Sequence, residues 1–262
     1  YKMWVDVLGV SNIGSLNHKI IEGNSSELIK IAEAFHEKKL SSIADMILRE
    51  NTSRGARLVL ISGPSSSGKT TFAKRLGIQL RIFGLKPVLI SLDDYFVERD
   101  KTPLDEKGEY DYESLYALDL ETFNSNLTTL LEGGACDIPR YDSITGQREY
   151  YEKPLQLYER SVLVIEGIHG FNPELHKQID NKHIFKIYIS ALTSISLDDL
   201  SRIATTDNRL LRRTVRDYST RGSDAAATLK RWPSVRKGED KHIFPCQENA
   251  DVMFNSSLFY EI

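Results

Sequence analysis

The stretch that decides the fold is residues 63–70, which read Gly63-Pro64-Ser65-Ser66-Ser67-Gly68-Lys69-Thr70. They match the pattern G-x-x-x-x-G-K-[ST] without a mismatch. The apolar run over 58–61 precedes them and a helical pattern begins at residue 71, so the motif stands between a predicted strand and a predicted helix. Glycines let the backbone approach an anion, and the N-terminus of the following helix favours negative charge. The sequence therefore predicts a phosphate-binding loop.

Four further apolar runs follow this loop along the chain, at 87–91, 161–165, 184–189 and 251–254. Stretches with helical spacing separate them. Continuous apolar strands that alternate with helices are typical of a parallel sheet covered by helices on both faces. We therefore predict an α/β fold of the P-loop NTPase type, in which ligands bind at the carboxyl ends of the strands.

The first 52 residues have a different pattern. Asn24 and Glu27 resemble a helix N-cap with its acidic partner. Apolar residues then recur at helical spacing over 28–48, which predicts one long helix or a helical pair that ends near Asn51. His36, in this helical stretch, is expected to be solvated. Residues 52–55 read as a linker.

These patterns predict a mainly helical N-terminal extension over 1–52 and a P-loop kinase domain over 53–262. The chain starts with Tyr1 rather than Met, so we expect it to be a trimmed piece of a longer protein. Its two cysteines lie more than a hundred positions apart, which predicts reduced thiols. No apolar run approaches 18 residues and no signal peptide opens the sequence. We expect a cytoplasmic protein that does not enter a membrane.

Acidic residues follow two of the predicted strands. Asp93 follows the strand over 87–91, and Glu166 follows the strand over 161–165. Beside the phosphate loop, these carboxylates and the Thr70 hydroxyl are oxygen ligands of the kind that Mg²⁺ prefers. A kinase also needs a carboxylate that orients and deprotonates its acceptor. We predict Asp93 as that base, although Asp93 or Asp94 could instead cap the next turn.

Residues 202–237 are strongly basic, with ten Lys and Arg against three Asp. Arg209, Arg213 and Arg216 fall on one helix face, and Arg221 follows before a glycine. We predict an arginine-rich helical lid that closes over a triphosphate and neutralises the charge of phosphoryl transfer. A nucleic acid partner is not expected, because the net charge of the chain is only −3 and few aromatic residues interleave with the basic ones.

Taken in order, these motifs resemble those of the uridine kinase/phosphoribulokinase family, from about residue 57 to residue 258. The matching segments are the phosphate loop, Ser91-Leu92-Asp93, Tyr110-Asp111, Pro139-Arg140-Tyr141-Asp142, Glu166-Gly167-Ile168 and the Arg213/Arg216-Asp217/Arg221-Gly222 lid. The resemblance implies an ATP- and Mg²⁺-dependent kinase that acts on the 5′-hydroxyl of a nucleoside. It also implies that Asp111 holds the ribose hydroxyls and that Tyr141 contacts the base. The region before residue 52 resembles the end of a threonyl-tRNA-synthetase-like extension.

The predicted site is therefore as follows. The catalytic residues are Asp93, Lys69, Arg216 and Arg221. The nucleotide-binding residues are Gly63, Ser65, Ser66, Ser67, Gly68, Lys69, Thr70 and Thr71. The substrate-binding residues are Asp93, Tyr110, Asp111, Tyr141, Arg213, Arg216 and Arg221, and the metal ligands are Thr70, Asp93 and Glu166.

Two positions depart from the family pattern. Typical uridine/cytidine kinases have a histidine that reads the pyrimidine edge five residues after the base-contacting tyrosine, where this chain has Gly146. Their lid glutamine falls near Arg231. A site without base-specific hydrogen bonds discriminates poorly between bases. The resemblance therefore predicts the phosphotransfer reaction and leaves the base open.

The same residues allow two alternatives to a nucleoside kinase and disfavour a third. A kinase of a sugar phosphate or another small alcohol would suit the many arginines. A nucleotide-binding regulatory module would bind ATP without acceptor-dependent turnover. A GTPase is disfavoured, because Asn181-Lys182-His183-Ile184 lacks the aspartate that reads guanine in N-K-x-D. Assembly into a homo-oligomer is compatible with all of these alternatives.

Overall fold

The computed structural model of the chain describes residues 2–261. The α-helices are α1 (Lys2–Val7), α2 (Ile13–Ile21), α3 (Ser25–Arg54), α4 (Lys69–Ile82), α5 (Leu120–Leu131), α6 (Thr205–Thr220) and α7 (Ala225–His242). The β-strands are β1 (Leu58–Ser62), β2 (Lys86–Ser91), β3 (Ala135–Cys136), β4 (Pro139–Asp142), β5 (Gln147–Tyr150), β6 (Leu155–Gln156), β7 (Ser161–Glu166), β8 (Ile184–Ser190) and β9 (Val252–Asn255).

The central sheet has five strands in the order β2-β7-β1-β8-β9. All of its neighbouring strands pair in parallel. The five apolar runs of the sequence are these five strands, so the predicted parallel sheet is confirmed. Its register pairs Glu166 with both Ile61 and Ser91. The carboxyl ends of β2, β7 and β1 therefore meet at one edge of the sheet. The sequence did not predict the antiparallel hairpin β4–β5 or the β3–β6 pair.

Both faces of the sheet are buried, which explains why its strands are apolar throughout. Leu58 and Leu60 of β1 belong to a buried cluster with Phe123 of α5. Val59 and Ile61, which point to the opposite face, belong to a second cluster with α3 and α4. Alternate side chains of one strand thus enter two different cores, as expected for an α/β fold with helices on both faces.

The N-terminal segment is helical, as predicted, and α3 is one long helix that packs against α4 through the second core cluster. The predicted linker at 52–55 is wrong over its first three residues, because α3 continues to Arg54. Gly55 caps the end of this helix with a φ of 70°. Asn24 occupies the N-cap position but makes no capping side-chain hydrogen bond. His36 is buried rather than solvated and packs its ring against Phe254. The division into 1–52 and 53–262 stays a prediction.

The basic segment folds into two helices, α6 and α7, which residues 221–224 connect. Asp224 caps α7 by accepting a hydrogen bond from the Ala227 N–H at 2.7 Å. Pro233 lies inside α7. Both helices lie beside the carboxyl edge of the sheet, where they form one wall of a large cleft.

Candidate active site

The cleft at the carboxyl edge of the sheet has a volume of about 1680 Å³. Of the predicted site residues, all but two line it. The lining ones are Ser65, Ser66, Gly68, Lys69, Thr70, Thr71, Asp93, Tyr110, Asp111, Tyr141, Glu166, Arg213, Arg216 and Arg221. Gly63 and Ser67 are the exceptions. Residues from six separate stretches of sequence therefore meet at one site.

The phosphate loop owes its shape to two glycines. Gly63 has a φ of 150°, and a Cβ placed there would lie 2.0 Å from the carbonyl oxygen of Ile189. No other residue type fits this position. Gly68, with a φ of 86°, occupies the N-cap position of α4. The loop thus turns tightly from β1 into α4, and the N-terminus of this helix lies at the cleft, where it favours an anion.

Lys69 lies folded against the phosphate loop. Its Nζ donates hydrogen bonds to the carbonyl oxygens of Gly63 at 2.9 Å and Pro64 at 3.1 Å. Burial lowers the pKa of Lys69, whereas the nearby carboxylates of Glu166 and Asp93 act in the opposite direction. The ammonium group therefore lies within the curve of the loop, next to the acidic residues of the cleft.

Glu166 connects the phosphate loop to β2. Its Oε1 accepts hydrogen bonds from the hydroxyls of Thr70 at 2.8 Å and Ser91 at 2.9 Å. Burial raises the pKa of Glu166, and the charge of Asp93 raises it further, while the two hydrogen bonds lower it. The strand register that brings these residues together also explains why the carboxylate of the last residue of β7 lies beside the loop after β1.

Asp93 lies in the short 3-10 helix Leu92–Tyr95 that follows β2. Its N–H donates to Ser91 Oγ at 3.3 Å, and its side chain is 51% exposed. Arg221 Nη2 lies 3.5 Å from Asp93 Oδ2. The carboxylate is therefore open to the cleft and faces an arginine of the lid.

The oxygen atoms of Thr70, Asp93 and Glu166 form a donor set that suits Mg²⁺. This ion usually takes one or two protein carboxylates and completes its shell with water and substrate phosphates. Within residues 2–261, no group of three His, Cys, Asp or Glu side chains forms an all-protein metal site. A shared site of protein and phosphate oxygens is consistent with both observations.

Asp217 organises the arginines of α6. Its carboxylate lies 3.2 Å from Arg213 Nε, 2.8 Å from Arg216 Nη2 and 3.9 Å from Arg221 Nε. Arg213 also donates from Nη1 to the Ser65 hydroxyl at 2.7 Å. One buried acid thus holds three predicted lid arginines at the rim of the cleft, and one of them contacts the phosphate loop.

Arg209 belongs to the predicted basic face, but it does not line the cleft. It is fully buried in an ion pair with Glu239 of α7, in which its Nη2 donates to Oε2 at 2.7 Å. Glu239 Oε1 also accepts a hydrogen bond from the Ser65 N–H at 3.0 Å, and Arg236 donates to Oε2 at 2.9 Å. The sequence analysis missed Glu239. Its contacts join α6 and α7 directly to the phosphate loop.

Four aromatic rings also line the cleft, and we call the part that they line the acceptor end: Phe96, Tyr110, Tyr112 and Tyr141. The ring of Phe96 lies 5.6 Å from that of Tyr141 and 6.4 Å from that of Tyr112, and Tyr110 lies 6.1 Å from Tyr112. The predicted residues Tyr110 and Tyr141 thus lie in one cluster. Phe96 and Tyr112 were missed, although both stand next to predicted motifs.

The two positions that depart from the family pattern both lie at the acceptor end. Arg231 places its guanidinium 5.3 Å from the centre of the Tyr112 ring. At Gly146 a Cβ would lie 2.7 Å from Arg99 Nε, so Arg99 occupies the space that a side chain at 146 would need. Arg99 Nη2 donates to the carbonyl oxygens of Ser143 and Ile144 at 3.0 and 3.2 Å. The guanidinium of Arg99 therefore lies beside the position at which the family pattern has a histidine.

Within the described residues, no helix is long and apolar enough to cross a membrane. The two cysteines are free thiols.

Comparison with known proteins agrees with this geometry. The model of the phosphoribulokinase/uridine kinase family matches residues 58–259. A uridine kinase of Staphylococcus aureus strain JH9 is 27% identical over 202 residues, which cover 76% of this chain and 87% of that protein. Among solved structures, a protein assigned as a uridine kinase from Bacillus stearothermophilus superposes with a TM-score of 0.55 at 21% identity. This match covers 83% of this chain and 98% of the other.

A kinase assigned to a fructose transport system of Silicibacter sp. TM1040 superposes with a TM-score of 0.59 at 17% identity, covering 82% of this chain and 98% of the other. At such identities the structural matches show the fold alone. The family match, in contrast, spans more than three quarters of the chain and includes the phosphate loop, the carboxylates after β2 and at the end of β7, and the arginines of α6. The chain therefore belongs to the phosphoribulokinase/uridine kinase family, whose members are phosphotransferases that act on hydroxyl groups.

Proposed function

We propose that this chain transfers the γ-phosphoryl group of ATP to the 5′-hydroxyl of a nucleoside, with uridine and cytidine as the simplest acceptors. The observation that carries the proposal is the combination of chemical groups that line one cleft. The phosphate loop, the carboxylates of Asp93 and Asp111, and a cluster of aromatic rings all line it. A triphosphate, a sugar and a planar base would each meet a matching group there.

In the proposed reaction, Asp93 orients the acceptor hydroxyl and takes its proton, since its carboxylate is open to the cleft. Lys69, Arg216 and Arg221 stabilise the negative charge of the transferring phosphoryl group. Thr70, Asp93 and Glu166 would hold Mg²⁺. When bound, this ion neutralises charge on the phosphate oxygens.

Three of the predicted residues are proposed to bind the acceptor. Asp111 is proposed to hold the sugar hydroxyls, and Tyr110 and Tyr141 to stack against the base, since aromatic faces bind planar groups without demanding a particular base. These contacts would therefore select a planar ligand without selecting a particular base. A cytoplasmic location and assembly into a homo-oligomer stay predictions.

A second candidate is phosphorylation of a sugar phosphate or another small alcohol. Arg99 favours it, because this cation lies at the acceptor end where the family pattern has a histidine. The fold match to a kinase assigned to a fructose transport system is compatible with it as well. An anionic acceptor would pair with Arg99, whereas a neutral base would have to accept hydrogen bonds from it.

The decisive experiment measures ADP release with a panel of ribonucleosides, free sugars and pentose phosphates. We expect turnover with at least one nucleoside, and a loss of about 10²- to 10⁴-fold in kcat for Asp93→Asn. Asp94→Asn is the matched comparison, since Asp94 is the neighbouring carboxylate and does not line the cleft; it should lose less than about tenfold.

Other results would reject parts of the proposal. Full turnover by Asp93→Asn would show that the assigned base is wrong. Turnover of pentose phosphates alone would favour the second candidate. ATP binding without turnover of any acceptor would favour a regulatory module.

A further inference from the structure

Arg148 of β5 is a nearly buried arginine that neither the motifs nor the proposed reaction uses. In the antiparallel register of the β4–β5 hairpin, it stands directly opposite Tyr141. Residues that are directly opposite each other in an antiparallel pair project to the same face of the hairpin. The Arg148 side chain is 14% exposed. A nearly buried cation therefore shares a face of the hairpin with a ring of the acceptor end.

The guanidinium group of Arg148 binds three acceptor atoms from two other segments. Its Nη1 donates to Asp119 Oδ2 at 2.8 Å. Its Nη2 donates to the carbonyl oxygens of Tyr95 at 3.2 Å and Phe96 at 3.0 Å. These two carbonyl groups lie at the end of the short 3-10 helix that carries Asp93. We call this set of contacts, from Arg148 to Asp119 and to the two carbonyl groups, the Arg148 clamp.

Asp119 completes the Arg148 clamp from the other side. Its N–H donates to the Tyr95 carbonyl oxygen at 2.9 Å. Its carboxylate accepts hydrogen bonds from the N–H and the hydroxyl of Thr122 in the first turn of α5. Burial raises the pKa of Asp119, but the hydrogen bonds from Arg148 and Thr122 outweigh this effect and hold the pKa below its usual range. The carboxylate is therefore ionised at neutral pH and anchored to α5.

Asp93, in contrast, is held by long contacts. Its side chain is 51% exposed, and its ion pair with Arg221 spans 3.5 Å. Its N–H donates to Ser91 Oγ at 3.3 Å, and its carbonyl oxygen accepts from the Phe96 N–H at 3.4 Å. Both distances exceed the usual range for such bonds. The backbone that follows Asp93 is therefore held more firmly than Asp93 itself, because the Arg148 clamp binds it.

We propose that Arg148 is a positioning residue of the phosphoryl transfer, which holds Asp93 and the Phe96 ring in place relative to Tyr141. The Phe96 and Tyr141 rings lie 5.6 Å apart. The clamp thus fixes the carboxylate that receives the proton relative to the rings that hold the acceptor. Misplacement of a reacting group by about 1 Å can cost about 100-fold in rate. This inference rests on the proposed kinase function and goes beyond it, since it names what holds the base in place.

The test measures kcat and KM of Arg148→Lys with ATP and uridine, or with the pentose phosphate that the acceptor panel identifies in its place. Lysine keeps the positive charge opposite Asp119, but it loses the planar fork that reaches both carbonyl oxygens. We expect kcat to fall about 10- to 100-fold. The KM for ATP should stay unchanged, because the phosphate loop takes no part in the clamp.

A second variant weakens the same clamp from the opposite side. Asp119→Asn keeps the shape of the side chain but makes weaker hydrogen bonds to Arg148, so kcat should fall by a smaller factor of about 3 to 10. Thermal unfolding of each variant reports whether the fold is intact. Asp119→Asn carries the test if Arg148→Lys unfolds.

A double-mutant cycle with Asp93→Asn separates positioning from a merely structural role. If Arg148 acts through Asp93, Arg148→Lys should lower kcat about threefold or less in the Asp93→Asn background, because the group that it positions is already gone. A merely structural role would lower kcat by the same factor in both backgrounds. Asp119→Asn is expected to follow the same pattern.

Arg140→Lys is the matched control. Arg140 lies on the same hairpin and is exposed. Because it is the neighbour of Tyr141 along β4, it projects to the opposite face of the hairpin. The same substitution should therefore leave kcat and both KM values at those of the unmodified chain.

Two results would overturn the role of Arg148 alone. One is an unchanged kcat in both Arg148→Lys and Asp119→Asn, and the other is an equal loss from Arg148→Lys with and without Asp93→Asn. If the unmodified chain phosphorylates no acceptor of the panel, the proposed function fails and the inference fails with it. The unmodified chain therefore decides the proposed function, and the variants decide the role of Arg148.

Discussion

The two ends of the cleft are held in place by different kinds of contact. At the phosphate loop, the Arg209–Glu239 ion pair is fully buried, and Glu239 also binds the Ser65 N–H. At the acceptor end, the loop that carries Tyr110 meets α7 through two ion pairs, Lys230–Glu109 at 3.5 Å and Lys237–Glu106 at 3.0 Å. The side chains of both pairs are at least 65% exposed.

This difference shows that the contacts of α7 differ in strength along the helix. A buried ion pair whose partner is removed costs about 3–5 kcal/mol, because a charge is left in the interior, whereas an exposed pair contributes about 0–1 kcal/mol. The contact of α7 with the phosphate loop is therefore strong, and its ion pairs with the loop that carries Tyr110 are weak. A rigid nucleotide site combined with an adaptable acceptor site suits a family in which different members use different acceptors.

The largest expected effect is that of Glu239→Ala. We expect the free energy of unfolding to fall by about 3–5 kcal/mol, because Arg209 stays buried without its partner. Urea denaturation followed by circular dichroism measures this loss. Glu109→Ala, which breaks an exposed pair of the acceptor end, is the control and should lose about 1 kcal/mol or less.

A double variant sharpens this comparison. Arg209→Met combined with Glu239→Leu removes both charges, and it should recover part of the stability lost by Glu239→Ala, since apolar pairs often replace buried ion pairs without cost. The rest stays lost, because the Ser65 N–H has no acceptor in either variant. Equal losses in Glu239→Ala and Glu109→Ala would contradict the proposed contrast between the two ends.

An intermediate effect is expected for Gly146→Ala, in comparison with Gly108→Ala. Both glycines have nearly the same φ, 75° and 76°, so the backbone strain of about 1–2 kcal/mol is shared. A Cβ at 108 has no neighbour within 4 Å, whereas a Cβ at 146 meets the Arg99 side chain at 2.7 Å. Gly146→Ala should therefore lose about 1–3 kcal/mol more, by overpacking.

The same pair of variants tests whether Arg99 shapes the acceptor end. Displacement of Arg99 should raise the KM for the acceptor in Gly146→Ala and leave the KM for ATP unchanged, while Gly108→Ala should change neither. Equal unfolding free energies for the two variants would show that Arg99 does not fill the space beside Gly146.

The smallest effect is expected for Lys237→Ala. Loss of its exposed pair with Glu106 should change the free energy of unfolding by less than about 1 kcal/mol. In the unmodified chain, salt should weaken the same contact, so the KM for the acceptor is expected to rise modestly between 0.05 and about 0.5 M NaCl, roughly the range over which screening becomes strong. Steady-state kinetics measure both. A salt-dependent KM that persists in Lys237→Ala would assign the effect to other charges.

The elements that the sequence predicts well are those with a local pattern. The phosphate loop is a contiguous motif, and the five strands are contiguous apolar runs because both faces of the sheet are buried. Asp93 and Glu166 could be placed together because the ends of parallel strands meet at one edge. Each of these predictions uses residues that lie within a few positions of each other. They are the contiguous motif, the apolar run, or a carboxylate together with the strand next to it.

The contacts that the sequence did not predict join distant positions. Arg209 and Glu239 are 30 residues apart on different helices, and Glu113 meets Gly238 across more than 120 positions. Sequence periodicity does not reveal such partners, because they become neighbours only when α6 and α7 pack against the loops of the cleft.

The misplaced end of α3 has a similar cause. Thr52 and Ser53 are weak helix formers, and with Gly55 they resemble a linker. In the structure, Thr52 Oγ1 donates to the Leu48 carbonyl oxygen at 2.8 Å, and Arg54 pairs with Glu50. These contacts, together with packing of the helix on α4, extend α3 by one further turn.

Pro233 lies between the two ends of α7. Proline has no N–H, so the carbonyl oxygen of Leu229 loses its helical hydrogen bond, and the helix bends most easily at this turn. A bend there would move Lys230 and Arg231 and would leave Lys237 and Glu239 in place. Pro233 thus separates a first part of α7 that can be displaced with little strain from a second part that the buried ion pair holds.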